Sequence, residues 1–134
     1  MFKITPIQDE ITKTRLFEKY GIEEKDGYFS YLMYDMDSGE PMGISQFDVR
    51  GETGYISDLC DVSGKDFEAM FILGRQTMNF IDLCGAHICE AAREAGDARL
   101  LHAIGFREAG GRLSVDMTGM FDGHCDGHEV KLDK

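Results

Sequence analysis

Apolar positions along the chain change their period several times, and each change predicts a new secondary-structure element. Alternating or β-rich apolar runs at residues 2–7, 27–35, 40–50 and 53–62 predict four strands. Short turns containing glycine separate the last three runs, which favours an antiparallel meander. Between the first two runs, residues 9–21 have apolar side chains near helical spacing and end at a glycine, which predicts a helix.

The second half of the chain continues this order. Residues 66–84 predict a long helix whose apolar stripe should face a sheet. That stripe consists of Phe67, Phe71, Gly74, Met78 and Ile81. A buried strand at residues 86–92, a short helix at 97–106 that Asp97 would cap, and a closing strand at 111–120 follow. The pattern predicts an α/β (α+β) fold with one mixed, mostly antiparallel sheet of about six strands flanked by helices.

Length, composition and charge restrict the class of protein. The chain has 134 residues, of which 43% are apolar and 29% charged, so we expect a single domain over 1–134 with residues 122–134 as a polar tail. No long apolar run or signal-like segment occurs, which favours a cytoplasmic protein. A net charge of −11 disfavours nucleic acid and anionic membranes as partners and favours a neutral or cationic one.

The cysteines and the tail offer little metal chemistry. Cys60, Cys84, Cys89 and Cys125 match no disulfide framework or paired zinc pattern, and the first three lie in apolar segments. In the tail, His124, Cys125 and His128 lie within five residues. At this spacing their imidazole and thiolate groups could coordinate zinc or nickel. Two glycines and the lack of a second ligand pair weaken that signal, so we expect no metal site.

One segment carries a resemblance to a known family. Residues 98–108, ARLLHAIGFRE, contain a short helix that ends in a Gly-Phe pair, here Gly105 and Phe106, before the closing strand. With the strand at residues 54–62 leading into the long helix, this order resembles the GNAT superfamily of N-acetyltransferases, in a small and divergent form. The resemblance covers roughly residues 2–121.

The resemblance implies a cofactor and a site. In this family acetyl-CoA lies where the fourth and fifth strands splay apart, and the next helix N-terminus holds the pyrophosphate. Transferred to this sequence, acetyl-CoA would lie along Leu59, Cys60, Val62, Ser63, Gly64, Lys65, Asp66 and Phe67. A small-molecule or protein amine would then attack the thioester directly.

Two departures from the family pattern put that activity in question. The turn at residues 62–68 lacks the paired glycines of the usual pyrophosphate loop, and Asp61, Asp66 and Glu68 place negative charge beside it. Leu101 stands where many members have a tyrosine that protonates the coenzyme sulfur. Other polar candidates for catalysis are Asp58, as a base for an incoming ammonium, and Cys60, with His102 and Tyr55 less favoured.

Three hypotheses follow from these features. The first is an N-acetyltransferase that acts on an unidentified amine. The second is a GNAT-like module without catalysis that binds a ligand or a protein. The third is a homodimer in which an exposed strand, or the segment at residues 113–121, pairs with a second copy.

Overall fold

The computed structural model describes residues 1–64 and 66–121, which form one sheet and three helices. The strands are β1 Phe2–Pro6, β2 Phe29–Asp35, β3 Pro41–Arg50, β4 Thr53–Asp61, β5 Ile88–Ala91, β6 Arg107–Ala109 and β7 Arg112–Asp116. The helices are α1 Glu10–Lys19, α2 Phe67–Leu83 and α3 Ala98–Ile104. The predicted order of elements is confirmed, except that the three-residue strand β6 was missed. Gly110 and Gly111, both at positive φ, join β6 to β7 as a hairpin.

The sheet runs in the order β1-β2-β3-β4-β5-β7-β6, and every neighbouring pair is antiparallel except β4 and β5. This arrangement confirms the predicted mixed, mostly antiparallel sheet. Strand β7 pairs with β5 on one side and with β6 on the other. Both edges of β7 are therefore paired within the chain, so residues 112–116 offer no free strand edge to a second copy, and the homodimer stays a prediction.

Strands β4 and β5 diverge halfway along β4. Their parallel pairing joins only Thr53–Ile56 to Ile88–Ala91, and the rest of β4 continues beside β3 alone. A register shift between β3 and β4 inserts Ser57 as an extra residue just before the divergence. The predicted splay between the fourth and fifth strands is confirmed, and it opens at residues 58–61.

Helix α2 packs on the face of the sheet that carries the main core. Asp66 caps this helix by accepting a hydrogen bond from the Ala69 backbone N–H at 3.0 Å. The buried side of the helix consists of Ala69, Met70, Leu73, Gly74, Thr77, Met78 and Ile81. The predicted stripe is therefore confirmed at Gly74, Met78 and Ile81, whereas Phe67 and Phe71 lie at its border and are only partly buried.

Phe67 and Phe71 pack against the border of the core, and each also lies under a cationic group. The guanidinium groups of Arg99 and Arg75 lie 4.3 Å and 4.9 Å from the ring centroids of Phe67 and Phe71. Gly74 allows close packing of α3, since a Cβ there would lie 2.8 Å from Ile104 Cδ1.

Among the helices of residues 1–64 and 66–121, none has the length and apolar character of a membrane span.

Candidate functional site

A cavity of about 550 Å³ opens at the divergence of β4 and β5. Three segments surround it: the end of α1 with the following turn, the C-terminal half of β4 with the first turn of α2, and the loop between β5 and α3. The lining residues are Tyr20, Gly21, Ile22, Asp58, Leu59, Cys60, Asp61, Gly64, Asp66, Phe67, Met70, Glu94, Ala95, Gly96, Asp97 and Leu100. We call this cavity the cleft.

The wall of the cleft is acidic. Five of its residues carry carboxylates, namely Asp58, Asp61, Asp66, Glu94 and Asp97, and no described lining residue is Lys or Arg. Because these groups surround a concave surface, their potentials add and attract cations. The cleft is therefore suited to a positively charged group and works against a multiply charged anion.

Asp58 is the carboxylate with the most defined position. Its Oδ2 accepts a hydrogen bond from Gln46 Nε2 at 2.7 Å and another from Ser57 Oγ at 2.8 Å. Both donors belong to the β3–β4 pair at the register shift, so the strands themselves fix the carboxylate. A carboxylate held in this way keeps its orientation while part of it remains accessible to the cleft.

Cys60 lies in the same wall but is not activated. Burial raises the pKa of its thiol, and the neighbouring carboxylates of Asp58 and Asp61 raise this pKa further. The thiol therefore stays protonated at neutral pH and is a poor nucleophile. Its assignment to catalysis stays a prediction.

The turn between β4 and α2 uses its own hydrogen-bond donors internally. The backbone N–H groups of Val62 and Ser63 donate to the carbonyl of Met42 at 3.1 and 3.4 Å. Asp61 Oδ1 accepts from Ser63 Oγ at 2.9 Å and from the Gly64 N–H at 2.8 Å. A carboxylate of the chain thus occupies the position in this turn where a bound anion would find donors.

The loop between β5 and α3 closes part of the open edge of β4. The Leu59 N–H donates to the Ala95 carbonyl at 2.6 Å, and the Ala92 N–H donates to the Ile56 carbonyl at 3.0 Å. Gly96 allows this approach, because a Cβ there would lie 2.9 Å from the Leu59 carbonyl oxygen. The Leu59 backbone N–H, which would face a bound pantetheine arm, therefore already has a hydrogen-bond partner in the protein.

The structure brings together most of the site residues that the sequence suggested. Asp58, Leu59, Cys60, Gly64, Asp66 and Phe67 line the cleft. Val62 and Ser63 belong to the adjoining turn but do not line the cavity, and Lys65 lies outside the described residues.

The other predicted candidates lie elsewhere. Tyr55 lines a different cavity, with Glu90 and Arg112, and His102 is exposed on α3 outside the cleft. Leu101, at the position of the usual acid, is buried at 1% exposure. Asp97 is the N-cap residue of α3, as predicted, but its side chain makes no capping hydrogen bond.

Sequence reasoning missed several residues of the site. The turn at residues 20–22 and the loop at residues 94–97 reach the cleft only through the tertiary fold, and no local pattern marks them. Gln46 did carry a signal, because an amide side chain interrupts the apolar positions of a central strand. Such a buried polar group needs hydrogen-bond partners, and their identity is visible only in the structure.

No group of three or more His, Cys, Asp or Glu side chains in the described part of the chain is arranged to hold a metal ion. The candidate tail ligands His124, Cys125 and His128 lie outside the described residues. Thiols of Cys60, Cys84 and Cys89 are free, so no disulfide links these three residues.

Comparison with known proteins identifies the fold. No family model matches the sequence, and no curated protein matches it. The crystal structure of the ribosomal-protein-S18-alanine N-acetyltransferase from Escherichia coli matches with a TM-score of 0.65 at 13% identity, over 98% of this chain and 100% of that one. An acetyltransferase from Bacillus subtilis in complex with CoA matches with a TM-score of 0.62 at 14% identity, over 87% of this chain and 99% of that one.

A third match extends the same fold to a larger enzyme. N-acetylglutamate synthase from Neisseria gonorrhoeae, complexed with coenzyme A and N-acetyl-glutamate, has a TM-score of 0.60 at 13% identity. The match covers 81% of this chain and 29% of that one. These likenesses show that the chain has the fold of GNAT N-acetyltransferases, and the predicted fold is confirmed.

Proposed function

We propose that the protein is an N-acetyltransferase that transfers an acetyl group from acetyl-CoA to a cationic amine. The observation that carries the proposal is the position of the anchored Asp58 carboxylate in the cleft where β4 and β5 diverge. Three of the matched enzymes are an alanine N-acetyltransferase, an acetyltransferase in complex with CoA, and a synthase complexed with coenzyme A and N-acetyl-glutamate. Their fold supports a thioester donor and an amine acceptor here.

The chain has partial means of holding the coenzyme. Backbone groups of Leu59, Cys60 and Asp61 lie along the cleft, whose volume suits a pantetheine arm, and α2 directs its N-terminus toward the same end. When bound, acetyl-CoA supplies the activated acetyl carbon. The fit is poorer for the pyrophosphate, because Asp61 already accepts the donors of the turn.

Asp58 has the chemistry to prepare the acceptor. Its carboxylate attracts an ammonium group and accepts one proton from it, which it passes to water through the open cleft. The neutral amine then forms the C–N bond to the acetyl carbon and displaces the coenzyme thiolate. The second amine proton goes to that thiolate, so the products are the acetamide, the free thiol and one proton released to water.

The acceptor class follows from the charge of the cleft. Five carboxylates favour an amine with further positive charges, either a small polyamine or the amine of a basic protein segment. Carboxylated amines such as glutamate would meet the same repulsion as the coenzyme phosphates. We therefore expect polyamines to be better acceptors than acidic amino acids.

A non-catalytic binding module is the second candidate. The internal bonds of Asp61 and of Leu59 favour it, since both use groups that a coenzyme would need. A homodimer is compatible with either function. Among the described strands, the sheet edges available for strand pairing are β1 and the short β6.

Binding of acetyl-CoA separates the two candidates. We expect titration calorimetry with the full chain to show weak binding, in the high micromolar to millimolar range, because Asp61 opposes the phosphates. Acetyl-pantetheine, which lacks the nucleotide phosphates, is the matched control and should bind at least as tightly, because it does not meet this repulsion. If neither compound binds at millimolar concentration, the protein is a binding module rather than an acetyltransferase.

A further inference from the structure

We infer that Gln46 is a positioning residue, which orients the Asp58 carboxylate and joins it to the segment that follows the turn at residues 20–22. The inference rests on the proposed function. Gln46 lies in the middle of β3 and is only 1% exposed. A primary amide at such a position must have all its hydrogen-bonding groups satisfied, or it would destabilise the fold.

Each polar atom of the Gln46 side chain has a partner. Oε1 accepts from the Lys25 backbone N–H at 2.8 Å, and Nε2 donates to the Glu23 carbonyl at 2.9 Å and to Asp58 Oδ2 at 2.7 Å. The backbone partners determine the orientation of the amide, since an N–H can only donate and a carbonyl can only accept. The same nitrogen must therefore point at Asp58.

This arrangement connects two walls of the cleft. Glu23 and Lys25 directly follow the turn at residues 20–22, which lines the cavity, whereas Asp58 lies on β4. Ser57 Oγ adds a second donor to the same carboxylate oxygen and lies 3.2 Å from the Gln46 carbonyl. The Asp58 oxygen Oδ2 is thus committed to the protein, which leaves Oδ1 to meet the ammonium.

A double-mutant cycle tests this role. We would measure acetyl transfer from acetyl-CoA to spermidine, and calorimetric binding of spermidine, for Gln46→Met, Asp58→Asn and the double variant. A hydrogen bond to a charged group is worth enough that Gln46→Met should lower kcat about 10- to 100-fold. The KM for acetyl-CoA should change by less than about threefold, because Gln46 does not touch the proposed coenzyme path.

The double variant distinguishes positioning from structural support. If Gln46 acts through Asp58, adding Gln46→Met to Asp58→Asn should cost little further activity or spermidine affinity. A structural role would lower activity by the same factor in both backgrounds and would overturn the inference.

Thr77→Val is the matched control for lost stability. Thr77 lies on α2 in the buried core, and its Oγ1 donates to the Leu73 carbonyl and accepts from Ser45 Oγ of β3, both at 2.9 Å. Ser45 precedes Gln46 in β3, so its side chain lies on the opposite face of the sheet. Its replacement should lower the melting temperature comparably without changing kcat. If Thr77→Val lowers the activity as much as Gln46→Met does, the inference is overturned.

Measurements on the wild-type chain distinguish failure of the proposed function from failure of the role of Gln46. If the wild-type chain binds no acetyl-CoA, the acetyltransferase proposal is overturned, and the role of Gln46 in it is overturned too. If the wild-type chain acetylates spermidine and the two substitutions are additive, only the role of Gln46 is overturned. Absence of both spermidine binding and spermidine acetylation overturns the assignment of Asp58 and Gln46 to an ammonium site.

Discussion

The single side chain of Asp61 changes what the turn before α2 can bind. The turn before α2 has the shape that binds phosphate in many proteins, with a glycine at φ 72° and a helix N-terminus behind it. Here the Asp61 carboxylate accepts hydrogen bonds from Ser63 and Gly64 in that turn. The sequence showed the excess of negative charge, but only the structure shows that this particular carboxylate takes the donors.

Removing this carboxylate should strengthen coenzyme binding. Asp61→Ala deletes a like charge next to the phosphates and frees the Gly64 N–H, so we expect the affinity for acetyl-CoA to rise about tenfold. Titration calorimetry measures the change. Glu52→Ala is the control, since Glu52 is exposed in the turn between β3 and β4, at the other end of these strands from the cleft, and changes the net charge equally. Equal gains for both variants would show a general charge effect, and no gain for Asp61→Ala would place the phosphates outside this turn.

At the scale of elements, the sequence predicted the regular structure better than the site. The periodicity of apolar residues, the turn residues and the helix-capping residues were sufficient to predict three helices and six strands. Each of these elements buries its own apolar side chains, so the sequence records its position. The strand β6 was missed because its three residues, Arg107 to Ala109, are all exposed and carry no apolar pattern. The stripe of α2 was partly misplaced because Ala69 and Met70 take the fully buried positions of its first turn, whereas Phe67 is only partly buried and packs under Arg99.

The loop between β5 and α3 was beyond sequence reasoning for a different reason. Its contact with β4 depends on a backbone approach at Gly96 that no side-chain pattern encodes. The family resemblance implied an open splay at this place. The structure confirms the divergence of the strands and adds a loop that bonds to Leu59 within it.

Gly96→Ala should loosen this contact. The added Cβ would lie 2.9 Å from the Leu59 carbonyl oxygen, and backbone cannot move aside cheaply. We expect a loss of about 1 to 3 kcal/mol in the free energy of unfolding and faster hydrogen exchange at the Leu59 amide, measured by NMR. Gly43→Ala is the control, because its Cβ would meet the flexible end of Met70, with Sδ at 2.7 Å, and should leave the Leu59 amide protected. Unchanged exchange in Gly96→Ala would show that the loop does not depend on this close approach.

At the scale of the whole molecule, charge separates the two substrates of the proposed reaction. The chain carries a net charge of −11, and the described wall of the cleft adds carboxylates without a lysine or arginine. Acetyl-CoA is an anion and spermidine is a cation, so the field of the protein repels one and attracts the other. Neither effect requires a specific contact. Both are long-range electrostatic effects, and their range is the screening length, which the salt concentration sets.

Salt should therefore move the two affinities in opposite directions. Raising the ionic strength from about 0.01 M to about 0.15 M shortens the screening length from roughly 30 Å to roughly 8 Å. We expect acetyl-CoA to bind more tightly at the higher salt, because the long-range repulsion is screened, and spermidine to bind more weakly. Acetyl-pantetheine carries no phosphate and should show almost no change, which controls for effects of salt on the fold. If acetyl-CoA instead binds more weakly as salt increases, its phosphates must lie against local cations, and basic side chains of the chain would have to hold them.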